Sequence, residues 1–458
     1  MEMSTESHDM VVVGGGTAGC FAAATAARDG LDVVLVERKT EEEGGHIACG
    51  DGIKGASKFP DVIDRDRLEE EAFTNRNITR AVFENPRTGE ELDIPFNESG
   101  GVVDRWKYGK VLLDETQRAG ADIHYETVVQ DVVQENGQVT GVRAKREGEP
   151  TTYEADVVVD GAGSLSLLQD KTDFSGSTFD TNVNYSQFCS AYREVVELEE
   201  PVEWSDALVF KPTAELGYLW YFPRSPTEIN AGLGFQMNKE PMELVSTLKA
   251  DLESRAEFAG AKVTDKLGAA LPTRRPYDSA VHPGYVAVGD AAAHVNPCTG
   301  GGIPGAAKAG HWAAKIAADG IADGDVSEAA LWEYNRRVQT DFGKRFAAMD
   351  LYNIFGGAHN VDELVSLITA LPGQPIVDAL GKQGTASMGI GLKLKTLVKT
   401  FGHWDILYEL YKVQQTAGAL KDIYDSYPDD PAHFDAWKAE RDSLMDEFYE
   451  LTGAEPKY

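Results

Sequence analysis

Met10-Val11-Val12-Val13 runs straight into Gly14-Gly15-Gly16-Thr17-Ala18-Gly19, and Asp32-Val33-Val34-Leu35-Val36-Glu37 follows. The order is apolar run, glycine turn, small-residue stretch, second apolar run and carboxylate. It predicts a strand–helix–strand unit of a Rossmann-like α/β fold. Gly14 makes the tight turn out of the strand. Gly16 lets a pyrophosphate approach the backbone. Gly19 allows the helix to pack close to the sheet. The helix N-terminus offers free N–H groups and a positive dipole end to phosphates. Glu37 lies about twenty residues on, where an acid holds ribose hydroxyls. A ligand-free strand–helix turn could use the same glycines, but it would not need the second strand and its terminal acid. The segment therefore predicts a dinucleotide site.

The chain has 458 residues, enough for two or three domains and a sizeable core. Its 75 acidic and 43 basic residues give a net charge of −32. Such a surface repels nucleic acid and gives no electrostatic grip on anionic lipid. The acid is spread along the chain in short runs such as Glu41-Glu42-Glu43 and Glu69-Glu70-Glu71. A solvated surface explains it. Adaptation to a salt-rich cytoplasm, where screening makes self-repulsion tolerable, explains it better. The four cysteines, Cys20, Cys49, Cys189 and Cys298, form no CxxC pair, so neither a zinc site nor a disulfide framework is expected. His46 and Cys49 have a spacing a metal could use, but no second pair stands nearby and no metal is expected. Met1 to Asp9 is polar and acidic, unlike a signal peptide, and no apolar stretch reaches the ~18 residues of a membrane span. A cytoplasmic protein is expected.

Further along, Asp61 to Asn97 is charged and reads as an excursion from the sheet. Trp106 to Ala119 reads as a helix with Lys110, Asp114 and Arg118 on one face. Asp122 to Tyr125 reads as a strand. Val128–Val133 and Gln138–Ala144 read as a hairpin about Asn136-Gly137. Ala155 to Asp160 is a buried strand ending at Gly161-Ala162-Gly163, and Tyr285 to Asp290 is another ending in an acid. Gly300-Gly301-Gly302-Ile303-Pro304 opens a small-residue helix, with Pro304 in the first turn, where its missing N–H costs nothing. Between Asn182 and Lys266 the pattern turns strand-rich and aromatic.

Three glycine-rich strand ends need a common explanation: Gly14 to Gly19, Asp160 to Gly163, and Gly289-Asp290 with Gly300 to Gly302. A nicotinamide alone needs only the first. A long cofactor lying across the sheet uses all three, which points to FAD. No attachment motif is evident, so FAD is expected to be non-covalent. In this respect residues 9 to 330 resemble the flavoprotein superfamily of aromatic hydroxylases, flavin halogenases and geranylgeranyl reductases. Asp160-Gly161, Gly289-Asp290 and Asp104-Arg105-Trp106 match its pattern. Three further segments narrow the resemblance to geranylgeranyl reductases. Gly217-Tyr218-Leu219-Trp220-Tyr221-Phe222-Pro223 resembles their YxWxFP signature. Ile47-Ala48-Cys49-Gly50-Asp51-Gly52 resembles their cysteine-containing flavin loop. Val295-Asn296-Pro297-Cys298-Thr299-Gly300-Gly301-Gly302-Ile303 resembles their third flavin segment.

The resemblance implies an FAD domain in two parts (1–170 and 271–326), an antiparallel-sheet substrate domain (171–270) and a helical C-terminal region (327–458). It implies that Ala18 and Glu37 meet the adenosine half of FAD. Cys49, Gly50 and Gly52 would lie along the cofactor, with Cys49 near the ring. Arg105 would meet the pyrophosphate, the Val129 backbone the adenine, and Asp290 the ribityl and pyrophosphate. Gly302 and Ile303 would offer N–H groups to the pyrimidine edge, where reduced flavin is anionic. Tyr218, Trp220 and Phe222 share one face of a strand; that face lines either a substrate cavity or a solid core. His294, beside the third segment, could move protons or simply accept a backbone bond.

The activity implied is hydrogenation of isolated C=C bonds in geranylgeranyl chains of archaeal ether lipids or their precursors. Cys49 is the candidate proton donor, with a packing role as the alternative; Cys49 and Cys298 could also meet as a reversible pair. Two rival readings use the same scaffold: a flavin monooxygenase or halogenase, and an electron-transfer flavoprotein without a lipid substrate. The sequence carries no second GxGxxG unit and no cluster-binding cysteines, which leaves nicotinamide, deazaflavin or ferredoxin as electron donor. Leu364, Val365, Leu367, Ile368, Leu371, Met388 to Leu397 and Phe401 to Tyr411 read either as helical core or as an apolar surface for peripheral membrane contact.

Overall fold

The computed structural model describes residues 4–53, 55, 58–213, 216–237, 240–361, 363–365 and 404–458. Its first sheet is built on β1 (Ser4–Val13), flanked in parallel by β2 (Val33–Val36) and β9 (Glu149–Asp160). Val13 stands opposite both Val36 and Asp160, so the glycine turn, Glu37 and Asp160 leave the sheet side by side. β6 (Asp122–His124) and β16 (Tyr285–Ala287) extend the parallel order on either side, and β15 (Val281–His282) closes one edge. β7 (Thr127–Glu135) and β8 (Gln138–Arg146) form the hairpin about Asn136-Gly137, both with positive φ. The central strands are buried on both faces, which is why they read as unbroken valine and leucine runs. The polar Ser4 to Asp9 is also strand: it pairs with β9 beyond the end of β2 and leaves its side chains near solvent.

Helix α1 (Thr17–Arg28) follows the glycine turn, and α6 (Ile303–Asp323) lies against it. A Cβ at Gly310 would sit 2.1 Å from the Ala18 carbonyl oxygen, so these helices touch at the backbone. α3 (Arg105–Ala119) covers α1 from the other side. Its start is fixed by Asp104, whose carboxylate accepts from the Trp106 and Lys107 amides, and Gly120 ends it in the left-handed region.

The second sheet runs β14-β10-β13-β12-β11-β4-β5-β3. The ranges are β3 (Gly52–Ile53), β4 (Phe73–Glu84), β5 (Glu91–Val103), β10 (Phe188–Glu197), β11 (Ala207–Pro212), β12 (Gly217–Pro223), β13 (Glu228–Gln236) and β14 (Lys262–Pro272). All neighbours are antiparallel except β11 and β4, which join in parallel. Residues 61–97 therefore leave the first sheet to build part of the second, after a short helix α2 (Arg65–Ala72). The sheet expected within 171–270 thus also draws strands from residues 52–103. Their charge hid this, because many β4 and β5 side chains face solvent.

One face of this sheet is closed. Val196, Val209, Leu219, Tyr221, Ile229 and Leu233 pack with Leu244 and Leu248 of α5 (Pro241–Ser254). The other face looks toward the first sheet.

Beyond α6 the chain continues as α7 (Glu328–Val338), a π-turn and α8 (Lys344–Ala358), then α9 (Trp404–Asp425) and α10 (Phe434–Thr452). A buried ion pair fastens this region to the rest: Arg441 of α10 pairs with Asp278. Leu367, Ile368, Leu371, Met388 to Leu397 and Phe401 lie outside the described residues. Of the described remainder, Leu364, Ile406 and Leu410 pack on the core, whereas Tyr408 and Tyr411 are exposed. Among the described residues no helix is long and apolar enough to cross a membrane.

Candidate functional site

A cavity of about 2190 Å³ opens between the two sheets. Gly14, Gly16, Ala18, Glu37, Cys49, Gly50, Gly52, Arg105, Val129, Tyr218, Trp220, Phe222, Asp290, Gly302 and Ile303 all line it. Gly19 does not: a Cβ there would lie 2.0 Å from the Gly14 carbonyl oxygen, so its work is packing beneath the turn.

Gly14 has φ +98°, and a Cβ on it would strike Gly161 O at 2.5 Å. Gly16 is different. Its nearest neighbour would be Ile47 Cδ1 at 3.9 Å, so it faces open space. Glu37 is buried and accepts from the Gly15 amide at 2.8 Å and the Lys39 amide at 3.0 Å. These bonds hold its carboxylate beside the turn.

Arg105 is the first residue of α3 and is buried. Nη2 donates to Thr17 Oγ1 at 3.2 Å, and the guanidinium stacks on Tyr108. Nη1 has no hydrogen-bond partner among the described residues. A buried guanidinium with a free donor asks for an anion. An open glycine, two uncapped helix N-termini at Gly16 and Gly302, and this cation together fit a pyrophosphate-bearing cofactor such as FAD.

Asp290 follows β16 in a tight turn, where Ser164 Oγ donates to it at 3.4 Å. Burial pushes its carboxyl up to about 6. His294 accepts from the Gly289 amide at 3.1 Å, and burial lowers it to about 3. Its Nδ1 is the acceptor of a neutral imidazole, and burial disfavours the imidazolium.

The loop before β3 crosses to the aromatic strand. A Cβ on Gly50 would lie 3.3 Å from Phe222, and one on Gly52 3.2 Å from the same ring, so both glycines let the loop lie on it. Tyr218, Trp220 and Phe222 make edge or tilted contacts with each other and with Phe210. Tyr218 donates to Thr299 O at 2.8 Å, joining the aromatic strand to the segment before α6. All four cysteines are free thiols. Burial pushes the Cys49 thiol up. Cys298 is pushed up to about 12 and lies 3.0 Å from Met349 O. Among the described residues no cluster suits a metal.

Sequence reading missed several charged groups around the cavity. Asp51 is fully buried and bonded to Arg224 and Asn230. Asn230 in turn accepts from Trp220 Nε1 at 2.9 Å. Arg193 lies 2.6 Å from Asp265, which also bonds His46 at 2.9 Å. These pairs join residues far apart in the chain, and nothing local marks them.

The comparisons agree with this geometry. A family model described as FAD dependent oxidoreductase matches residues 9–170. The digeranylgeranylglycerophospholipid reductase of Sulfolobus acidocaldarius is 27% identical over 97% of this chain and 99% of its own length. That of Methanocella arvoryzae is 31% identical over 74% of this chain and 84% of its own. The crystal structure of a geranylgeranyl bacteriochlorophyll reductase-like protein from Thermoplasma acidophilum shares the fold, with a TM-score of 0.73 and 24% identity, over 90% of this chain and 100% of that one. With its cradle for FAD and relatives at this level of identity, the chain is an FAD-dependent oxidoreductase and belongs to the digeranylgeranylglycerophospholipid reductase family.

Proposed function

We propose that the enzyme hydrogenates isolated C=C bonds in the geranylgeranyl chains of an archaeal ether lipid or its precursor. The observation that carries this reading is the aromatic face of β12, which forms a wall of the same cavity as the glycine cradle. An isoprenoid chain is long and apolar, and Tyr218, Trp220 and Phe222, with Leu208 and Phe210, offer it a continuous apolar wall. Ala18, Glu37, Val129 and Asp290 would hold the adenosine and ribityl parts of FAD, and Gly14 and Gly16 would leave its path clear. Arg105 would meet the pyrophosphate, and Gly302 and Ile303 the pyrimidine edge.

Reduced FAD, when bound, supplies a hydride. The protein's part is to exclude water, press the alkene into place and provide a proton. An isolated alkene is electron-rich, so the proton must arrive as the hydride does. Cys49 is suited to this, because burial keeps its thiol protonated. Tyr218, tied to Thr299, holds the aromatic wall against the segment carrying Gly302.

The net charge of −32 suits work in concentrated salt and argues against any electrostatic attachment to anionic lipid. Peripheral contact with the inner face of a membrane would rest on apolar groups, Tyr408 and Tyr411 among them. The electron donor is an external reductant: nicotinamide, deazaflavin or ferredoxin. The test is to incubate the chemically reduced protein with unsaturated archaeal lipid and weigh the product. Addition of one H2 per double bond is expected. Addition of an oxygen atom would instead identify a monooxygenase on this scaffold, and unchanged lipid would leave an electron carrier.

A further inference from the structure

Asp51 is a tightly constrained charged residue of the cavity. It is fully buried, and its φ of +69° is one that side chains other than glycine rarely adopt. Its neighbours Gly50 and Gly52 carry the loop across Phe222, and its carbonyl accepts from the Val103 amide at 3.0 Å. Its carboxyl group is held very unevenly. Oδ2 accepts from Arg224 Nε at 2.8 Å and from Asn230 Nδ2 at 2.5 Å, and lies 2.7 Å from Arg224 Nη2. Oδ1 is buried and has no partner among the described residues. An ionised carboxylate wants donors on both oxygens; a carboxylic acid needs them only on the oxygen that lacks the proton.

Charge around Arg224 leads to the same state. The guanidinium has Asp51 at 2.7 Å, Glu228 at 3.2 Å and Asp104 at 4.0 Å. One cation cannot neutralise three carboxylates. Glu228 is 41% exposed and solvated by water. Asp104 caps α3 and accepts from two amides, which favours its anion. Asp51 is fully buried and caps no helix, so the shared proton belongs on it. The other groups that face Asp51 are Arg193, which opposes protonation, and the Cys49 thiol. Burial outweighs the opposing cations and raises the Asp51 carboxyl.

We propose that Asp51 is the proton reservoir behind Cys49, a carboxylic acid at rest that reprotonates the Cys49 thiolate after each reduction. The Asp51 amide donates to Cys49 Sγ at 3.3 Å, and Asn230 Nδ2 also donates to Cys49 O at 2.8 Å, so one clasp fixes both groups. The inference rests on the lipid-reductase reading. In each turnover the alkene gains a hydride, supplied by the reduced cofactor, on one carbon and the Cys49 proton on the other. The S–H bond breaks and leaves a thiolate. The Asp51 O–H bond then breaks and the S–H bond re-forms. Transfer from a carboxylic acid to a thiolate runs downhill, since thiols are ordinarily the weaker acids by several pKa units. Arg224 and Asn230, already on Oδ2, receive the resulting anion without moving. Solvent returns the proton to Asp51 between turnovers.

The test uses the FAD-loaded enzyme, Asp51→Asn and Glu228→Gln. Infrared spectra of the resting proteins at pH 8 should show a protonated-carboxyl band in wild type that Asp51→Asn lacks. Multiple-turnover lipid reduction should slow by ~100-fold or more in Asp51→Asn, while cofactor content stays that of wild type. Glu228→Gln removes a competitor for Arg224 and so eases ionisation of Asp51. The alkaline fall in its rate should begin at lower pH than in wild type. An absent wild-type band, an unslowed Asp51→Asn enzyme, or an unmoved alkaline limb in Glu228→Gln would overturn the proposal. Should Asp51→Asn not fold, the wild-type band and the Glu228→Gln profile decide. A wild-type enzyme that shows the band but never reduces lipid would overturn the lipid-reductase reading instead and leave the protonation of Asp51 standing.

Discussion

Strand β12 shows two regions of the molecule back to back. Leu219 and Tyr221 enter a closed core with β13 and α5, while Tyr218, Trp220 and Phe222 line the cavity. Both sets are apolar and both alternate at period two, so hydropathy cannot separate them. What separates them is the element each side meets. A helix seals one side, whereas the other meets loops built on glycine, which bring backbone without bulk. The same division recurs inside the glycine turn, where Gly19 meets backbone and Gly16 meets space. Closed positions should govern stability, and open ones ligand binding.

The largest stability effect is expected on the closed face. Leu219→Ala should cost about 2–5 kcal/mol, the usual range for a leucine deleted from a sealed core. Denaturant midpoints of the apoprotein would measure it. A loss no greater than that of Trp220→Ala would break the comparison.

Asp290 gives an intermediate case with a definite pH signature. Its folded carboxyl titrates near 6, above the usual ~3.9 of an unfolded aspartate. The folded state therefore holds the proton more tightly than the unfolded state. Stability falls as pH rises from about 4 to about 6, and the full penalty, on the order of 3 kcal/mol, persists above that window. Asp290→Asn should stabilise the apoprotein at pH 7 to 8 and lose this advantage as pH drops toward 4. A gain that does not vary with pH would show that Asp290 is not the titrating group.

Trp220→Ala sharpens the contrast on the open side. Its ring has the cavity on one side and gives up one hydrogen bond, to Asn230. About 1 kcal/mol of stability should go with it, and FAD content should stay unchanged. Lipid-driven reoxidation of the reduced enzyme should fall sharply, because a wall of the cavity has gone. Loss of flavin with unfolding of the sheet would instead make Trp220 a core residue.

Local features were legible in the sequence because their causes are local. The β1–α1–β2 unit declares itself through unbroken apolar runs and glycine geometry. The Asn136-Gly137 hairpin is fixed by two residues that tolerate positive φ, and α3 by its Asp104 cap. The aromatic run, the cysteine loop and the glycine segment were also visible, and they line one cavity. What stayed hidden depends on distant partners. β4 and β5 join the second sheet through a parallel contact with β11, which no periodicity announces. Asp51 looks like a loop residue between glycines until Arg224, 173 positions away, is folded against it. Arg193 and Asp265 stand on different strands, yet they meet at the cavity wall. Buried charge needs a partner, and a single sequence does not show which one.

Gly16→Val isolates the open class most cleanly. Gly16 has φ −78° and ψ −178°, an extended conformation any residue adopts, so a side chain brings no backbone strain. Nothing lies nearer to the new Cβ than 3.9 Å, so the apoprotein should melt within about 1 °C of wild type. The new side chain would instead occupy the space where a pyrophosphate must approach the N-terminus of α1. Wild type should be stabilised by added FAD according to RT ln(1 + [L]/Kd), about 2.7 kcal/mol at a hundredfold excess over Kd. Gly16→Val should show none of this shift and should purify colourless. Gly14→Val makes the control: φ +98° and a 2.5 Å approach to Gly161 O predict that it loses stability even without cofactor. If both variants melted alike, the glycine turn would be closed throughout, and the distinction drawn between its members would fail. If Gly16→Val still took up FAD, the pyrophosphate would have to pass elsewhere, and Arg105, whose Nη1 has no partner among the described residues, would be the group from which to trace it.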